Sequence, residues 1–566
     1  ASVVCPFPLP VLFWCAGGLR VFFAGPCTSV RGTASQLRTW AQAMTNPDVK
    51  TFRTLPLVLA LGLALAGCKS TVAPSAGGDC KPVAVNKGAD GLSLTVSDKA
   101  VKQIGPEYFG FNLENTEFQL SLWDPAKQQV RPEVVSFLKD HFPGAAYRYP
   151  GGTTSNYHRW HKSVGAVAKR VPVRINDWTE LPRIEFGVDE YLDFVHQTGG
   201  QVWYVLNMKG DIDKLVSQDV MAREAGELTK HILDRKVPVL RWELGNELDR
   251  FEEKWIPDLY VGRARAVMES VRKVDPKARF VAMMADFDAQ ADRGVNASQY
   301  NVAVAKGLKD DGVSEYAQHL YYDGEPDGPP VTNRIDHLCQ SAADAKTGGV
   351  PEKDIGFWVT EHARWPEGQG EAWNGNWHQS ADLGAAIGVS DLIITTTQLP
   401  QVKGGDLHAL HGTTGPWPMF HMPSGQSAYY PSVPMHAYAL LRETLLPDVL
   451  ATQVSSGNPS DYAGGYSARG TVMASQDRSR YSVWAVNRDD DAVEITLNMP
   501  ALAGKKFKAS LASISGGTPQ VNNYSSQVID GPKRQTVSLS FDDKGVARYT
   551  VGPNSVSGLT FAKEAP

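Results

Sequence analysis

The stretch Trp242-Glu243-Leu244-Gly245-Asn246-Glu247 contains the end of a β-type run that begins at Leu240. The run stops at Leu244, and a glycine and two polar residues follow it. Similar short runs alternate with helical patterns from about residue 105 onwards, which predicts βα units around a parallel sheet. Helical patterns cover residues 189–198, 220–235, 257–274 and 381–390. Eight runs are predicted as strands: 108–112, 145–149, 202–207, 240–244, 280–284, 316–321, 356–360 and 393–399.

Eight such units predict a (β/α)8 TIM barrel with loop insertions over residues 105–446. A doubly wound α/β sheet is the alternative. However, no G-x-G-x-x-G motif opens the first helix, and no Walker-type glycine loop is present. The barrel is therefore the predicted fold, and its functional residues are expected at the carboxyl ends of the strands.

The sequence pattern changes after a predicted helix near 435–444. From there on, short runs of alternating apolar and polar residues are separated by Gly, Asn, Asp and Ser. This pattern predicts a C-terminal antiparallel β-sandwich over residues 447–566. The segment 83–104 contains a further strand, 92–96, which we expect to join the sandwich. The sandwich strands are predicted at 481–487, 492–499, 506–513, 536–541, 547–551 and 558–562.

The composition of the 566 residues is that of a globular protein, with 42% hydrophobic and 21% charged residues. Acidic residues number 61 against 56 basic ones, so no broad basic surface for nucleic acid is expected. The chain contains 14 Trp, 19 Tyr and 20 Phe residues. These aromatic residues serve either large cores or the stacking of sugar rings.

The segment 44–68 has the features of a bacterial lipoprotein signal peptide: a basic start, the apolar run 55–66, and Leu65-Ala66-Gly67-Cys68. An ordinary secretory signal is the alternative. We expect lipidation of Cys68, sorting to the outer membrane of the cell envelope, and a flexible tether over 69–82. Residues 1–43 precede this signal and are interpreted as a suspect upstream extension. Cys80 and Cys339 remain, and their pairing is left open.

Two carboxylates follow predicted strands on opposite sides of the barrel. Glu247 comes after the fourth strand, and Glu361 ends the stretch Phe357-Trp358-Val359-Thr360-Glu361 of the seventh. They are 114 residues apart, close to three βα units of roughly 30 residues or more. A facing pair of carboxylates is what glycoside hydrolysis uses, one as the general acid and the other as the nucleophile.

On these residues the chain resembles the clan A type of retaining (β/α)8 glycoside hydrolases. The stretch Arg148-Tyr149-Pro150-Gly151-Gly152 resembles a motif of the α-L-arabinofuranosidases. The sequence of residues 242–247 is equally similar to the heparanase-like β-glucuronidases. The resemblance implies that Glu247 is the acid/base and Glu361 the nucleophile. It implies that Asn246 binds the substrate 2-hydroxyl and that Glu114 contacts the sugar.

Further candidate substrate-binding residues follow from their positions. His319 and Tyr321 end the sixth strand, where the resemblance implies a residue that bonds the nucleophile; His319 as a core histidine is the alternative. Arg148 either holds the nucleophile region or meets a substrate carboxylate. Asn207 either bonds a sugar hydroxyl or caps a loop. A stacking wall is predicted from loop tryptophans, with Trp365 and Trp377 as its leading members and Trp160, Trp373 and Trp417 beside them.

The leading hypothesis is a retaining glycoside hydrolase without metal or cofactor, acting on an oligo- or polysaccharide, with α-L-arabinofuranosides as the preferred substrate. The alternatives are a hydrolase of uronic-acid glycans and a non-catalytic glycan-binding surface lipoprotein. Zinc binding at His408 and His411 is disfavoured because the sequence lacks the Glu of an H-E-x-x-H site.

Overall fold

The computed structural model describes residues 80, 85–87, 91–114, 122–174, 180–250, 254–289, 293–325, 327–412, 417–423, 425–456 and 462–563. The predicted signal peptide 44–68 with Cys68, the segment 1–43 and nearly all of the tether lie outside these residues. Among the described residues, we find no helix with the length and apolar character that crossing a bilayer requires.

Eight parallel strands close into a barrel, as predicted. Each pairs with the next in chain order, and the eighth pairs with the first, where Leu407 lies opposite Phe111. We number them barrel strands one to eight: Phe109–Asn112, Ala146–Tyr149, Gln201–Leu206, Val239–Leu244, Phe280–Met283, Glu315–Tyr322, Gly356–Arg364 and Val402–Leu407.

A helix follows each strand on the outside of the barrel. The helix Pro257–Val274 is typical: proline occupies its first turn, and Tyr260, Ala264, Val267 and Val271 form its buried stripe. The outer helices are Pro132–His141, Val188–Thr198, Gln218–Asp234, Pro257–Val274, Ala297–Leu308, Val331–Thr347, Leu383–Thr397 and Val433–Glu443.

The prediction of a strand at 393–399 is wrong, because these residues end the helix Leu383–Thr397 and the eighth strand is Val402–Leu407. The β-branched residues 393–397 suggested a strand because this helix is buried on nearly every side and therefore shows no helical alternation of apolar and solvent-exposed residues. Its threonine hydroxyls remain satisfied: Thr396 Oγ1 donates to the carbonyl of Ile393 and Thr397 Oγ1 to that of Ile394, at 3.0 and 2.7 Å.

The interior of the barrel has an apolar lower layer and a polar upper layer. Trp203 and Trp358 meet edge to face in the lower layer, with ring centroids 5.0 Å apart. Arg148 and Glu243 lie above them, fully buried. The indole N–H of Trp203 donates to Glu243 at 2.6 Å and so joins the two layers.

The C-terminal domain is rich in β-strands, as predicted, and strand Leu92–Gln103 joins it. Its strands form one mixed sheet that curls until it is nearly closed around a single apolar core. Neighbours are mostly antiparallel, but Leu92–Gln103 runs parallel to Val493–Asn498. The remaining strands are Val85–Lys87, Asp448–Ser456, Ala468–Ala474, Arg480–Asn487, Lys506–Ser515, Lys533–Ser540, Val546–Val551 and Ser555–Ala562.

Cys80 and Cys339 form a disulfide, which answers the question that the sequence left open. Their Cα atoms lie 5.1 Å apart, and the bond closes a loop of 259 residues in sequence. Cys339 belongs to the outer helix Val331–Thr347, so the bond ties the segment before the first strand of the C-terminal sheet to the barrel wall.

Candidate active site

A cavity of about 600 Å³ opens at the carboxyl ends of the barrel strands. Seven of the predicted residues line it: Glu114, Glu247, His319, Tyr321, Glu361, Trp365 and Trp417. The other lining residues are Gly152, Thr153, Arg250, Asp286, Asp288, Ala289, Asp327, Pro329, Arg334 and His408.

Local backbone features bring the two catalytic candidates together. Gly245 and Glu247 have φ angles of +83° and +47°, so the chain turns sharply after strand four, and a Cβ at Gly245 would lie 2.6 Å from Leu248. Strand seven contains a β-bulge at Thr360, since Val359 pairs with Gln318 whereas Glu361 pairs with His319. The bulge redirects Glu361 towards the mouth of the barrel.

The carboxylates of Glu247 and Glu361 approach each other closely. An oxygen of each lies within 4.8 Å of the other and of Nδ1 of His319. Retaining glycosidases place their two carboxyl groups about 5–5.5 Å apart, whereas inverting enzymes leave a wider gap for water. The separation therefore fits a double displacement.

Arg148 holds Glu361 from below, at the end of strand two. Its Nη1 donates to Glu361 Oε1 at 2.7 Å and to Asn112 Oδ1 at 2.7 Å. Its Nη2 donates to Asn246 Oδ1 at 2.7 Å, and Glu243 accepts from Nε and Nη2 at 2.8 and 2.9 Å. All five guanidinium N–H groups are used, so Arg148 supports Glu361 and has no donor left for a substrate carboxylate.

Tyr321 binds the other carboxylate oxygen of Glu361. Its hydroxyl donates to Glu361 Oε2 at 2.8 Å. Burial by itself would raise the pKa of Glu361, but the positive charges of His319 and Arg148 and the hydrogen bond from Arg148 lower that pKa far below its usual range. Glu361 is therefore held ionised, as a nucleophile requires.

His319 contacts Glu247 more closely than Glu361. Its Nδ1 lies 2.6 Å from Glu247 Oε1 and 3.6 Å from Glu361 Oε2, so the expected partner of the nucleophile at the end of strand six is Tyr321. Burial would lower the pKa of His319, but the carboxylates of Glu361 and Glu247 raise it. Burial would likewise raise the pKa of Glu247, and the charges of Arg250 and His319 lower it.

Asn246 presents a free donor beside the acid/base. Arg148 fixes its side chain through Oδ1, whereas its buried Nδ2 has no hydrogen-bond partner among the described residues. A buried amide without a partner is costly. A substrate hydroxyl at this point would satisfy it.

The opposite wall is built from the ends of strands one, two and eight. Asn112 Nδ2 lies 2.7 Å from Nδ1 of His408, and Glu114 Oε1 lies 3.9 Å from His408 Nε2. Gly152 has a φ of +68°, and a Cβ there would lie 2.4 Å from Glu114 Oε1. Only glycine allows this close approach.

Asn207 does not line the cavity, and the structure shows the loop-capping alternative. Its Oδ1 accepts from the N–H groups of Lys209 and Gly210 at 3.0 and 2.7 Å, and its Nδ2 donates to the Gly210 carbonyl at 2.9 Å. Nδ2 also lies 3.4 Å from the carbonyl of His158. Both polar atoms of the side chain therefore have protein partners, which explains the residue without a substrate.

The predicted aromatic wall is smaller than expected. Trp365 and Trp417 line the cavity and pack against each other at 5.3 Å. Trp377 lies outside it and meets Tyr524 of the C-terminal domain at 4.8 Å. Trp160 packs beside His231.

Four site residues were not singled out for the site by the sequence: Asn112, Glu243, Arg250 and His408. Asn112 and His408 lie at the carboxyl ends of strands one and eight, where functional residues of a barrel are expected. His408 was missed because strand eight was predicted at 393–399 instead of Val402–Leu407. Glu243 and Arg250 carry no such signal, because only their tertiary partners reveal them.

The geometry of the cavity does not favour a metal site. Asp286, Asp288 and His337 bring oxygens and nitrogen within 4.8 Å of one another. However, Arg250 binds Asp286 and Arg334 binds Asp288, so both carboxylates already have cationic partners. Glu247, His319 and Glu361 form a second such cluster, but Nδ1 of His319 is already hydrogen-bonded to Glu247.

Comparison with known proteins gives one consistent result. The family described as the α-L-arabinofuranosidase 1 domain matches residues 139–322, which include Arg148, Asn246, Glu247, His319 and Tyr321. The intracellular exo-α-(1→5)-L-arabinofuranosidase of Streptomyces lividans is 27% identical over 235 residues, or 38% of this chain. The aligned part spans 33% of that curated relative.

Solved structures share the whole architecture. The family 51 α-L-arabinofuranosidase AbfB of Bifidobacterium longum superposes with a TM-score of 0.67 at 16% identity, covering 83% of this chain and 99% of its own. The α-L-arabinofuranosidase of Thermotoga maritima, solved with arabinose, gives 0.66 at 18% identity, with 83% and 100% covered. The predicted resemblance to clan A (β/α)8 hydrolases of the arabinofuranosidase type is confirmed.

Proposed function

We propose that this protein, a (β/α)8 chain that resembles the α-L-arabinofuranosidases, is a retaining glycoside hydrolase that releases L-arabinofuranose. One observation carries the proposal: two carboxylates from strands four and seven lie within 4.8 Å, and the second is held ionised from below. No other chemistry explains this pair as simply.

The first half-reaction follows from these contacts. Glu361 attacks the anomeric carbon, the bond to the leaving oxygen breaks, and that oxygen takes a proton from Glu247. The contacts of Glu247 with His319 and Arg250 both fall on Oε1, so the transferred proton resides on Oε2. As Glu361 becomes an ester and loses its charge, Glu243 keeps Arg148 paired.

The second half-reaction restores the enzyme. Glu247, now ionised, removes a proton from water, and the water oxygen attacks the anomeric carbon and releases Glu361. The 2-hydroxyl of the sugar binds Asn246, whose Nδ2 has no hydrogen-bond partner among the described residues, and this contact strengthens in the transition state.

The charge of the cavity supports a neutral sugar over a uronic acid. Six carboxylates line it, against two arginines, and both arginines are paired with aspartates. Arg148 offers no free donor and His319 already faces Glu247 and Glu361, so the carboxylate of a β-glucuronide would meet mainly repulsion. The acidic residues of the lining are Glu114, Glu247, Asp286, Asp288, Asp327 and Glu361.

The test uses Glu361→Ala and Glu247→Ala with an aryl α-L-arabinofuranoside. We expect each to lower kcat by a factor of at least about 10³ while the fold is retained. Azide should rescue them differently: Glu247→Ala should give the azide of retained configuration and Glu361→Ala that of inverted configuration.

Glu367→Ala serves as the control, because Glu367 is an exposed carboxylate that does not line the cavity. Undiminished turnover by Glu361→Ala would rule out the mechanism. An aryl β-glucuronide tested in parallel distinguishes the uronic-acid alternative. Tight binding of oligosaccharide by the wild type without release of any sugar would instead favour the glycan-binding lipoprotein.

We also infer that the protein is exported and anchored by lipid at Cys68 to the bacterial outer membrane. The Cys80–Cys339 disulfide supports an oxidising compartment. The Streptomyces relative is described as intracellular, so the inference rests on this chain alone. Labelled palmitate should be incorporated by the wild type expressed in a bacterium and not by Cys68→Ala. An unlabelled wild type would contradict the anchor.

A further inference from the structure

Arg250 connects the acid/base to the neighbouring strand end. It lies in the single turn 248–250 that follows Glu247, and its backbone N–H donates to the Glu247 carbonyl at 3.0 Å. Its Nη1 lies 2.9 Å from Glu247 Oε1, and its Nη2 donates to Asp286 Oδ2 at 2.5 Å. One guanidinium therefore bridges two carboxylates from different βα units.

Asp286 is itself held in place, so it can serve as an anchor. Its N–H donates to Asp249 Oδ2 at 3.3 Å, and its carbonyl accepts from Arg293 Nη1 at 3.0 Å. Arg293 and Asp249 are both buried, and their charged groups lie 3.6 Å apart. The anchor of Arg250 therefore does not depend on the substrate.

On the basis of the proposed function, we propose that Arg250 is a positioning residue for Glu247, anchored by Asp286, that fixes the carboxyl group of the acid/base at the leaving-group side of the cavity. Glu247 Oε1 accepts from Arg250 and lies beside His319 Nδ1, so two residues from different strand ends contact the same oxygen. A carboxyl group held in this way cannot rotate about its last bond, which keeps Oε2 aimed at the leaving oxygen.

The electrostatic surroundings predict how this contact affects pH dependence. Glu247 faces Arg250 on its own turn, His319 of strand six and Glu361 of strand seven. Arg250 faces Glu247, Asp286, Asp249 and Tyr321. The ion pair with Arg250 favours the ionised form of Glu247 and so lowers its pKa. The basic limb of kcat/KM, which reports the acid of the free enzyme, therefore lies at lower pH than it would without Arg250.

The experiment measures kcat/KM against pH for an aryl α-L-arabinofuranoside whose phenol has a pKa of about 10, because such a leaving group needs the proton. In Arg250→Met, the basic limb should move up by about one pH unit, and kcat at the acidic plateau should fall about tenfold. Arg250→Lys keeps the charge, so its basic limb should stay near that of the wild type.

Asp286→Asn provides the opposing variant. The amide oxygen of Asn can still accept from Arg250, so the anchor is kept while the aspartate charge is lost. Arg250 then stabilises the charge of Glu247 more strongly, and the basic limb should move to lower pH. Arg265→Met is the matched control: Arg265 forms an exposed ion pair with Asp311, outside the cavity, and its loss should leave the profile unchanged. Thermal denaturation of each variant checks folding.

Two outcomes would overturn the proposal: a basic limb that stays in place in Arg250→Met, and a shift of Asp286→Asn in the same direction as Arg250→Met. A purely structural arginine would lower kcat or the melting temperature without moving the limb. Failure of the proposed function is a separate outcome, since wild-type protein that cleaves no arabinofuranoside has no profile to compare.

Discussion

Glu361 owes its ionised state, which its proposed role as nucleophile requires, to its neighbours rather than to its residue type. It is buried, which disfavours charge, yet Arg148 binds Oε1 and Tyr321 binds Oε2. Its pKa lies far below the ordinary glutamate range because His319 and Arg148 outweigh burial. The charge is therefore present at neutral pH and is lost only as the pH falls through the lowered pKa of the folded protein.

This environment predicts an acidic limb of kcat/KM well below pH 4, the ordinary range of a glutamate being about 4.3. Tyr321→Phe removes a hydrogen bond to the charged form, so the pKa of Glu361 should rise and the acidic limb should move to higher pH. We expect kcat to fall about tenfold. The measurement is the pH profile with an aryl arabinofuranoside.

Tyr549→Phe is the control for this substitution. Tyr549 is buried in the C-terminal domain, and its hydroxyl has no hydrogen-bond partner among the described residues. This variant should keep the wild-type profile. An acidic limb that does not move in Tyr321→Phe would show that the tyrosine does not stabilise the charge of Glu361.

Elements of the barrel differ in how well the sequence predicts them. Strands four and seven carry clear apolar runs and lie close to their predicted bounds. The sequence does not predict the helix Leu383–Thr397, because this helix packs between the barrel and the C-terminal sheet and is buried on nearly every side. Periodicity distinguishes helix from strand only where one side of the element meets water.

The position of Glu361 also depends on an element-level irregularity. Trp358 and Thr360 point into the barrel, where Thr360 Oγ1 lies 3.4 Å from Glu243. In a regular strand, Glu361 would then point outward. The bulge at Thr360 reverses this, and no residue of the stretch 357–361 signals a bulge by its type.

At the scale of the whole molecule, the barrel and the C-terminal domain share buried charges. Asp391 of the helix Leu383–Thr397 is fully buried and accepts from Arg488 Nη2 at 2.7 Å. Tyr466 donates to the same carboxylate at 2.5 Å, and Arg469 lies 3.4 Å away. Two arginines of the C-terminal domain thus neutralise one carboxylate of the barrel and a tyrosine hydrogen-bonds to it, which disfavours separation of the two parts.

The disulfide predicts a stability effect at the same scale. It closes a loop of 259 residues, so Cys339→Ser should lower the free energy of unfolding by about 2–5 kcal/mol. Chemical denaturation with and without reductant measures this. The wild type should lose stability on reduction and the variant should not. Equal stability of wild type and variant under oxidising conditions would show that the bond contributes nothing.

The sequence by itself determined the barrel, the sheet-rich C-terminal domain and the two carboxylates, because apolar runs of fixed period specify strands and the barrel topology places their ends at one mouth. It also pointed to Arg148, His319 and Tyr321 as residues of that mouth. Only the tertiary structure decided which partner each one has: Tyr321 for Glu361, His319 for Glu247, and a turn of its own for Asn207. Arg250 and Glu243 emerged in the same way, because hydrogen bonds between residues far apart in sequence depend on side-chain positions that no local pattern encodes.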